Sequence, residues 1–130
     1  MNKLRRVLRS IAAAVGGYAV IMLLTTVGFK PLGNIIPFEA PLRIHFLGAL
    51  VAIVSGLLGG ATAAGIAGRA PVAHATAVLL FLFLDTAIVL SRPIQGPLWF
   101  DLLGAVTLML ATVAGGVVWK RLMPRAATPA

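Results

Sequence analysis

Residues 44 to 68 read IHFLGALVAIVSGLLGGATAAGIAG, and this stretch decides the fold of the chain. At a rise of about 1.5 Å per residue, an apolar run of this length crosses a hydrocarbon core of roughly 30 Å as a tilted helix. Small residues recur along it at every fourth position. The first row is Gly48, Ala52, Gly56, Gly60, Ala64 and Gly68, and the second is Ser55, Gly59, Ala63 and Ala67. The stretch predicts a membrane helix with two small-residue surfaces.

These small residues also predict how the helix packs. Lipid tails are as apolar as leucine, so membrane helices associate through close packing, and small residues let two backbones approach. Four residues turn about 400° around a helix, so each row drifts by about 40° at every step. We therefore expect this helix to lie at the centre, with different partners at its two ends.

The composition indicates a membrane protein. Of the 130 residues, 60% are hydrophobic and 11% are charged, which is too apolar for an ordinary soluble domain. A net charge of +8 would suggest nucleic acid in a soluble protein, but here the basic residues lie at the ends of apolar segments. The expected partners are the lipid bilayer and other membrane helices, in a homo-oligomer or a hetero-complex, and not nucleic acid. The chain has no cysteine, which excludes disulfides and thiolate metal sites.

Four apolar segments predict an all-α integral membrane four-helix bundle. The expected spans are residues 10–29, 44–68, 72–90 and 98–118, within one domain of residues 1–125 and ahead of a disordered tail, 126–130. No small-x-small cleavage site follows the first apolar run, so it is interpreted as an uncleaved span. Pro71 suits the first turn of a helix, which predicts a tight hairpin between the second and third spans.

The basic residues predict the orientation. With the amino terminus in the cytoplasm, eight of the eleven lie inside, and Lys30, Arg43 and Arg92 lie outside. Cytoplasmic loops carry the excess of Lys and Arg, so both termini are expected in the cytoplasm. The eight are Lys3, Arg5, Arg6, Arg9, Arg69, Lys120, Arg121 and Arg125.

Asp85 is the only acid placed well inside a predicted span. An ionisable group inside a membrane is costly and is a functional hypothesis by default. His74, Asp85 and Arg92 are eleven and seven residues apart, and both intervals return to nearly the same helix face. We expect one polar stripe facing the bundle. Two interpretations stay open: a carboxyl held by Arg92 or a hydroxyl to fix the packing, and a proton- or ion-handling group.

A second candidate group maps to the outer side, where Asp85, Arg92 and Trp99 also lie. Its members are Glu39, Arg43, His45 and Asp101. One interpretation is a small extracytoplasmic pocket with the acids and His45 as proton carriers, and the other is a set of ion pairs among loop residues.

The two histidines invite a metal or haem interpretation. His45 and His74 begin helices on opposite faces of the membrane, so one chain does not bring both to one ion. A pair of His45 side chains across a homodimer stays open. No catalytic, cofactor or metal motif is found, since the sequence has no GxSxG, HExxH or phosphate-binding glycine loop.

Residues 59–75, GGATAAGIAGRAPVAHA, resemble a segment of small bacterial four-span inner-membrane proteins of uncharacterised function. The double glycine, the alternating alanines, the basic residue, and the Pro followed by His-Ala carry the resemblance. PLWF at 97–100 and Gly115-Gly116 extend it more loosely. It implies a four-helix protein of the inner membrane and brings no activity with it. Asp85 departs from the pattern, because such proteins often continue the third span without charge.

Three functions are compatible with these patterns. The first is a non-enzymatic scaffold, accessory or assembly subunit that binds other membrane helices through small-residue faces left over from its own bundle. The second is an oligomeric small transporter or proton- or ion-coupled carrier that uses Asp85. The third is a membrane enzyme with an extracytoplasmic polar site, although no nucleophile, base and orienting group can be assigned.

Overall fold

The computed structural model describes residues 2–33, 36–93 and 96–123. It contains α1 (Asn2–Phe29), a short 3-10 turn (Lys30–Leu32), α2 (Leu42–Ala67), α3 (Pro71–Leu90) and α4 (Leu98–Leu122). All four α-helices are long and apolar enough to cross a membrane. The prediction of an all-helical chain with four such helices is confirmed. The tail expected at 126–130 lies outside the described residues.

The turn between α2 and α3 follows from its sequence. Gly68 has a φ of 65°, a conformation that favours glycine, and its N–H donates to the carbonyl of Ala64 at 3.2 Å. Ala70 also has a positive φ, 41°, and Pro71 then occupies the first turn of α3. Gly68 therefore ends α2 as a cap, and three residues reverse the chain.

The helices run alternately up and down, so the bundle has two distinct ends. The terminal end holds the start of α1, the turn at 68–70 and the end of α4, and the loop end holds the two longer connections. α2 packs against α1, α3 and α4, and α3 also packs against α1 and α4. The central pair is thus α2 and α3, with α1 and α4 on opposite sides.

The contact between α2 and α4 is made through glycine. A methyl group on Gly60 would overlap the carbonyl oxygen of Thr112, and one on Gly115 would overlap the carbonyl oxygen of Leu57. A Cβ on Gly56 would lie 2.7 Å from the Cβ of Ala111. Backbone therefore rests directly on backbone where these helices cross.

The second row of small residues faces α1. A Cβ on Gly59 would lie 2.8 Å from the carbonyl oxygen of Gly17, and one on Gly17 would lie 2.8 Å from the Cβ of Ala63. The first row meets other neighbours near its ends, with Gly48 under Phe29 and Gly68 under Arg9. The middle of the first row thus meets α4, whereas its two ends and the second row meet α1.

Large apolar side chains cover the outside of the bundle. Leu23, Leu50, Leu80 and Leu110 are each more than half exposed, while the buried core around Ile21, Val78 and Leu82 is small. An aqueous protein rarely leaves so much apolar surface uncovered, whereas a lipid-facing bundle requires it. The surface agrees with four membrane-spanning helices.

Candidate ligand-binding cleft

Near the loop end, the bundle opens into a cleft of about 560 Å³. Its walls come from the first half of α2, the last turns of α3 and the first half of α4, with Phe29 and Ile36 at its edge. Small residues line both long walls, at Gly48, Ala49 and Ala52 of α2 and at Gly104 and Ala105 of α4. A Cβ added to Gly104 would have no neighbouring atom within 4 Å. Glycine thus has two effects in this pair of helices: Gly60 lets α2 and α4 touch, and Gly104 leaves open space beside α4.

Three titratable side chains line the cleft: His45 from α2, Asp85 from α3 and Asp101 from α4. Of the lining residues within the described ranges, none is a lysine or an arginine. The chain carries eleven basic residues and three acids, and two of those acids are here. The cleft is thus an acidic, largely apolar site within a basic protein.

The cleft also has two threonines, but their hydroxyl protons are used within the helices. Thr86 Oγ1 donates to the carbonyl oxygen of Leu82 at 2.7 Å, and Thr107 Oγ1 donates to that of Leu103 at 2.8 Å. Such back-bonding removes the donor that a buried hydroxyl would otherwise offer. Among the described lining residues, the side chains of Asp85, Asp101 and His45 are therefore the polar ones that remain for a ligand.

His45 lies in the first turns of α2 and is half-buried. Its Nε2 atom is fully covered and has no hydrogen-bond partner among the described residues. Its ring meets the Phe100 ring edge-on, with 5.1 Å between the centroids. A buried polar atom without a partner is costly, so a ligand group would stabilise this nitrogen once the side chains that cover it move aside.

An aromatic cluster of Phe38, Trp99 and Phe100 holds the first connection against α4. Phe38 meets Trp99 and Phe100 edge-on, at centroid distances of 5.6 and 5.5 Å. This contact places Ile36 over Gly48, where the side chain covers one edge of the cleft. The connection thus closes part of the loop end through side chains.

The residues of the predicted stripe lie in three different places. Asp85 lines the cleft, whereas Arg92 is exposed and does not line it. His74 is at the terminal end, where Nδ1 lies 3.0 Å from the carbonyl oxygen of Ala70 and Nε2 lies 3.0 Å from Ser10 Oγ. His74 and Asp85 belong to α3 and Arg92 follows its end, and the three residues do not form one site.

The predicted outer group is divided in a similar way. His45 and Asp101 line the cleft together with Asp85, while Glu39 and Arg43 are exposed and lie outside it. No lysine or arginine lies within 4.0 Å of a carboxylate oxygen in the described part of the chain. Within those ranges there is likewise no group of three or more His, Asp or Glu side chains arranged to hold a metal ion.

Gly104 and Ile36 are two of the cleft residues that sequence reasoning missed. Gly104 stands outside the small-residue rows of α2, and its role depends on the local separation of α4 from its neighbours. The sequence did contain a sign of this space: Gly104 and Ala105 have small side chains and lie one helical turn after Asp101 on the same span. Small residues near an acid inside a span indicate space as well as contact.

The chain was compared with protein-family models, curated proteins and solved structures, and none of them matches it. The site must therefore be interpreted from its own chemistry. Two carboxyl groups and an imidazole can hold a cation and exchange protons. Among the lining residues that the structure describes there is no serine or lysine, and both threonine hydroxyls donate to the backbone.

Proposed function

We propose that this chain is a subunit of a small membrane carrier, which binds an amphipathic organic cation in the cleft and exchanges it for a proton at Asp85. The observation that carries the proposal is the set of described lining residues, which includes Asp85, Asp101 and His45 but no lysine or arginine. A site of this polarity attracts positive charge despite the net charge of the chain, +8.

The walls of the cleft support an apolar ligand body. Phe29, Phe46 and Phe100 line it together with aliphatic side chains, and pockets of several hundred Å³ with a few convergent polar groups bind small organic molecules. A cation over an aromatic face gains further attraction from the ring. An organic ammonium or phosphonium ion with apolar substituents fits both features.

Proton coupling follows from the chemistry of a carboxyl group in a membrane. Asp85 holds either a proton or a cation, because a charged carboxylate without a counter-charge is costly at this depth. Cation binding would release the proton, and proton binding would release the cation. Asp101, one helix away, is the second charge that such a ligand would meet.

The packed half of the bundle favours an oligomer. Gly56 and Gly60 bring α2 onto α4 beyond the cleft, which closes the space between these two helices toward the terminal end. We propose that two copies complete the path, although a different membrane protein is the alternative partner. The scaffold hypothesis stays the alternative; the carrier is proposed ahead of it because all members of the two small-residue rows of α2 except Gly68 are buried within the chain's own bundle.

For location, we propose a bacterial inner membrane with both termini in the cytoplasm. The eight basic residues assigned to the terminal end and the resemblance of residues 59–75 to inner-membrane proteins support this orientation. The chain has no cysteine, so single cysteines at Ser91 and Met123 provide a clean test. An impermeant thiol reagent added to intact cells should label Ser91→Cys and spare Met123→Cys, and the reverse pattern would contradict the orientation.

The function is tested with tetraphenylphosphonium, a cation whose charge does not depend on pH. Protein in liposomes with an acidic interior should accumulate this ion, and binding in weakly buffered detergent should release protons. Asp85→Asn should reduce both signals by about tenfold or more, since one lost ion-pair partner in a poorly solvated site costs at least 1.4 kcal/mol.

The matched control is Glu39→Gln. It removes the same charge from the loop end, but Glu39 is exposed and does not line the cleft. Uptake by Glu39→Gln should equal that of the unchanged protein. If Asp85→Asn transports as well as the control, Asp85 is not the exchange site and the carrier proposal is wrong.

A further inference from the structure

The terminal end carries a second hollow, of about 520 Å³, that is lined by four arginines. Arg5, Arg6 and Arg9 come from the first turns of α1, and Arg69 comes from the turn after α2. The chain's three acids, Glu39, Asp85 and Asp101, all belong to the loop end. We propose that this arginine hollow binds the phosphate headgroup of an anionic phospholipid, independently of the proposed carrier function.

Arg9 is held in place before any ligand arrives. Its Nε donates to the carbonyl oxygen of Ile66 at 2.6 Å, which anchors the guanidinium on the last turn of α2. The same group lies over Gly68, where an added Cβ would be 2.5 Å from Nη2 and 3.1 Å from Cζ. The hydrogen bond uses the inner donor and leaves both Nη groups, the pair that binds phosphate oxygens in a fixed geometry.

Arg69 is oriented by a small network. Its Nη2 donates to Ser10 Oγ at 3.4 Å, and the same hydroxyl lies 3.0 Å from Nε2 of His74. Arg5 and Arg6 are exposed on the facing helix, one turn ahead of Arg9 and Ser10. Two oriented guanidinium groups and two adaptable ones therefore share one hollow.

The adjoining surface suits acyl chains. Leu4, Val7, Leu8 and Ile11 alternate with the arginines on α1, and each is more than half exposed. The hollow lies at one end of four helices that are long and apolar enough to cross a membrane, and in a bilayer crossed by them this end would lie at the level of the lipid headgroups. Positive charge above exposed aliphatic side chains matches an anionic phospholipid, and basic pockets between membrane helices bind such headgroups. A free phosphate would use the arginines alone.

The test is binding of a fluorescent phosphatidylglycerol to the purified full chain in non-ionic detergent, with phosphatidylcholine as the zwitterionic reference. Arg5→Gln combined with Arg6→Gln should weaken phosphatidylglycerol binding by about tenfold or more, because each arginine near a lipid surface contributes roughly 1 kcal/mol. Neither side chain makes a hydrogen bond among the described residues, so helicity and thermal stability should be unchanged.

The matched control is Lys120→Gln combined with Arg121→Gln. It removes two positive charges from the same end of the bundle, but neither residue lines the hollow. Binding should be saturable and retained in this control. Equal losses in both double variants, or equal binding of phosphatidylcholine, would overturn the proposal in favour of diffuse attraction. Displacement of the lipid by inorganic phosphate at matched concentration would also overturn it, because the ligand would then be a soluble anion.

Discussion

The α2–α4 pair behaves differently in its two halves. Toward the terminal end, Gly60 and Gly115 bring the two backbones into direct contact, and a methyl group on either would overlap a carbonyl oxygen of the opposite helix. Toward the loop end, Gly104 faces open space, and the same helices line a cleft of about 560 Å³. A small residue in a membrane helix thus allows close contact where the neighbouring helix is near. Where the neighbouring helix is farther away, the same kind of residue leaves an open space.

The strongest test of this comparison places one substitution in both halves. Gly60→Leu should destabilise the fold by about 3 kcal/mol or more, because the new side chain meets the backbone of Thr112, which cannot rotate away. Gly104→Leu should change stability by less than about 1 kcal/mol, since the side chain enters open space and leucine also has the better helix propensity. Unfolding in mixed detergent micelles, followed by helix content, measures both.

Equal destabilisation by the two leucines would break the comparison, because it would mean that Gly104 is also in close contact. Gly60→Ala provides an intermediate step. A single methyl group already overlaps the Thr112 carbonyl oxygen, so this variant should also be less stable than the unchanged protein.

The second test measures ligand binding at Gly104. Leucine there should fill part of the cleft and weaken tetraphenylphosphonium binding by about tenfold, a change of about 1.4 kcal/mol. Ala114→Leu is the control on the same helix, because Ala114 is exposed and does not line the cleft. Unchanged binding by Gly104→Leu would show that the probe binds elsewhere, even if the stability results above are as expected.

The packed half was largely predictable from the sequence. Small residues four positions apart within an apolar span specify close helix contact, and Gly56, Gly59 and Gly60 lie in such contacts. Pro71 after Gly68 likewise specified a tight turn, and the structure has three residues between α2 and α3. These features are local, because a glycine at a helix crossing or a helix end acts through its own backbone.

The cleft half was less predictable, since it depends on the separation of helices that are distant in sequence. Helical periodicity placed His74, Asp85 and Arg92 on one face, but it gives no distance along the axis to any partner. His74 therefore bonds to Ser10 at the terminal end, while Asp85 shares the cleft with Asp101 of another helix. Only the tertiary arrangement decides which residues of a stripe share a site.

The smallest expected effect concerns the aromatic side chains that hold the first connection against α4 at the loop end. Phe38 packs edge-on against Trp99 and Phe100, and aromatic pairs of this kind contribute roughly 0.5 to 1.5 kcal/mol each. Phe38 is 38% exposed, so Phe38→Ala should cost about 1 kcal/mol in all. Phe83→Ala, an exposed phenylalanine of α3, is the control and should cost less.

Trp99 reports this contact directly when Trp119→Phe leaves it as the only tryptophan. Phe38→Ala should increase quenching of Trp99 fluorescence by acrylamide, because the ring that covers one edge of the indole is removed. If acrylamide quenches Trp99 equally in Trp119→Phe and in Trp119→Phe combined with Phe38→Ala, Phe38 does not hold the first connection on α4. Another contact would then have to keep Ile36 over Gly48. The contrast between the terminal-end half, packed through backbone, and the loop-end half, held by side chains, would fail.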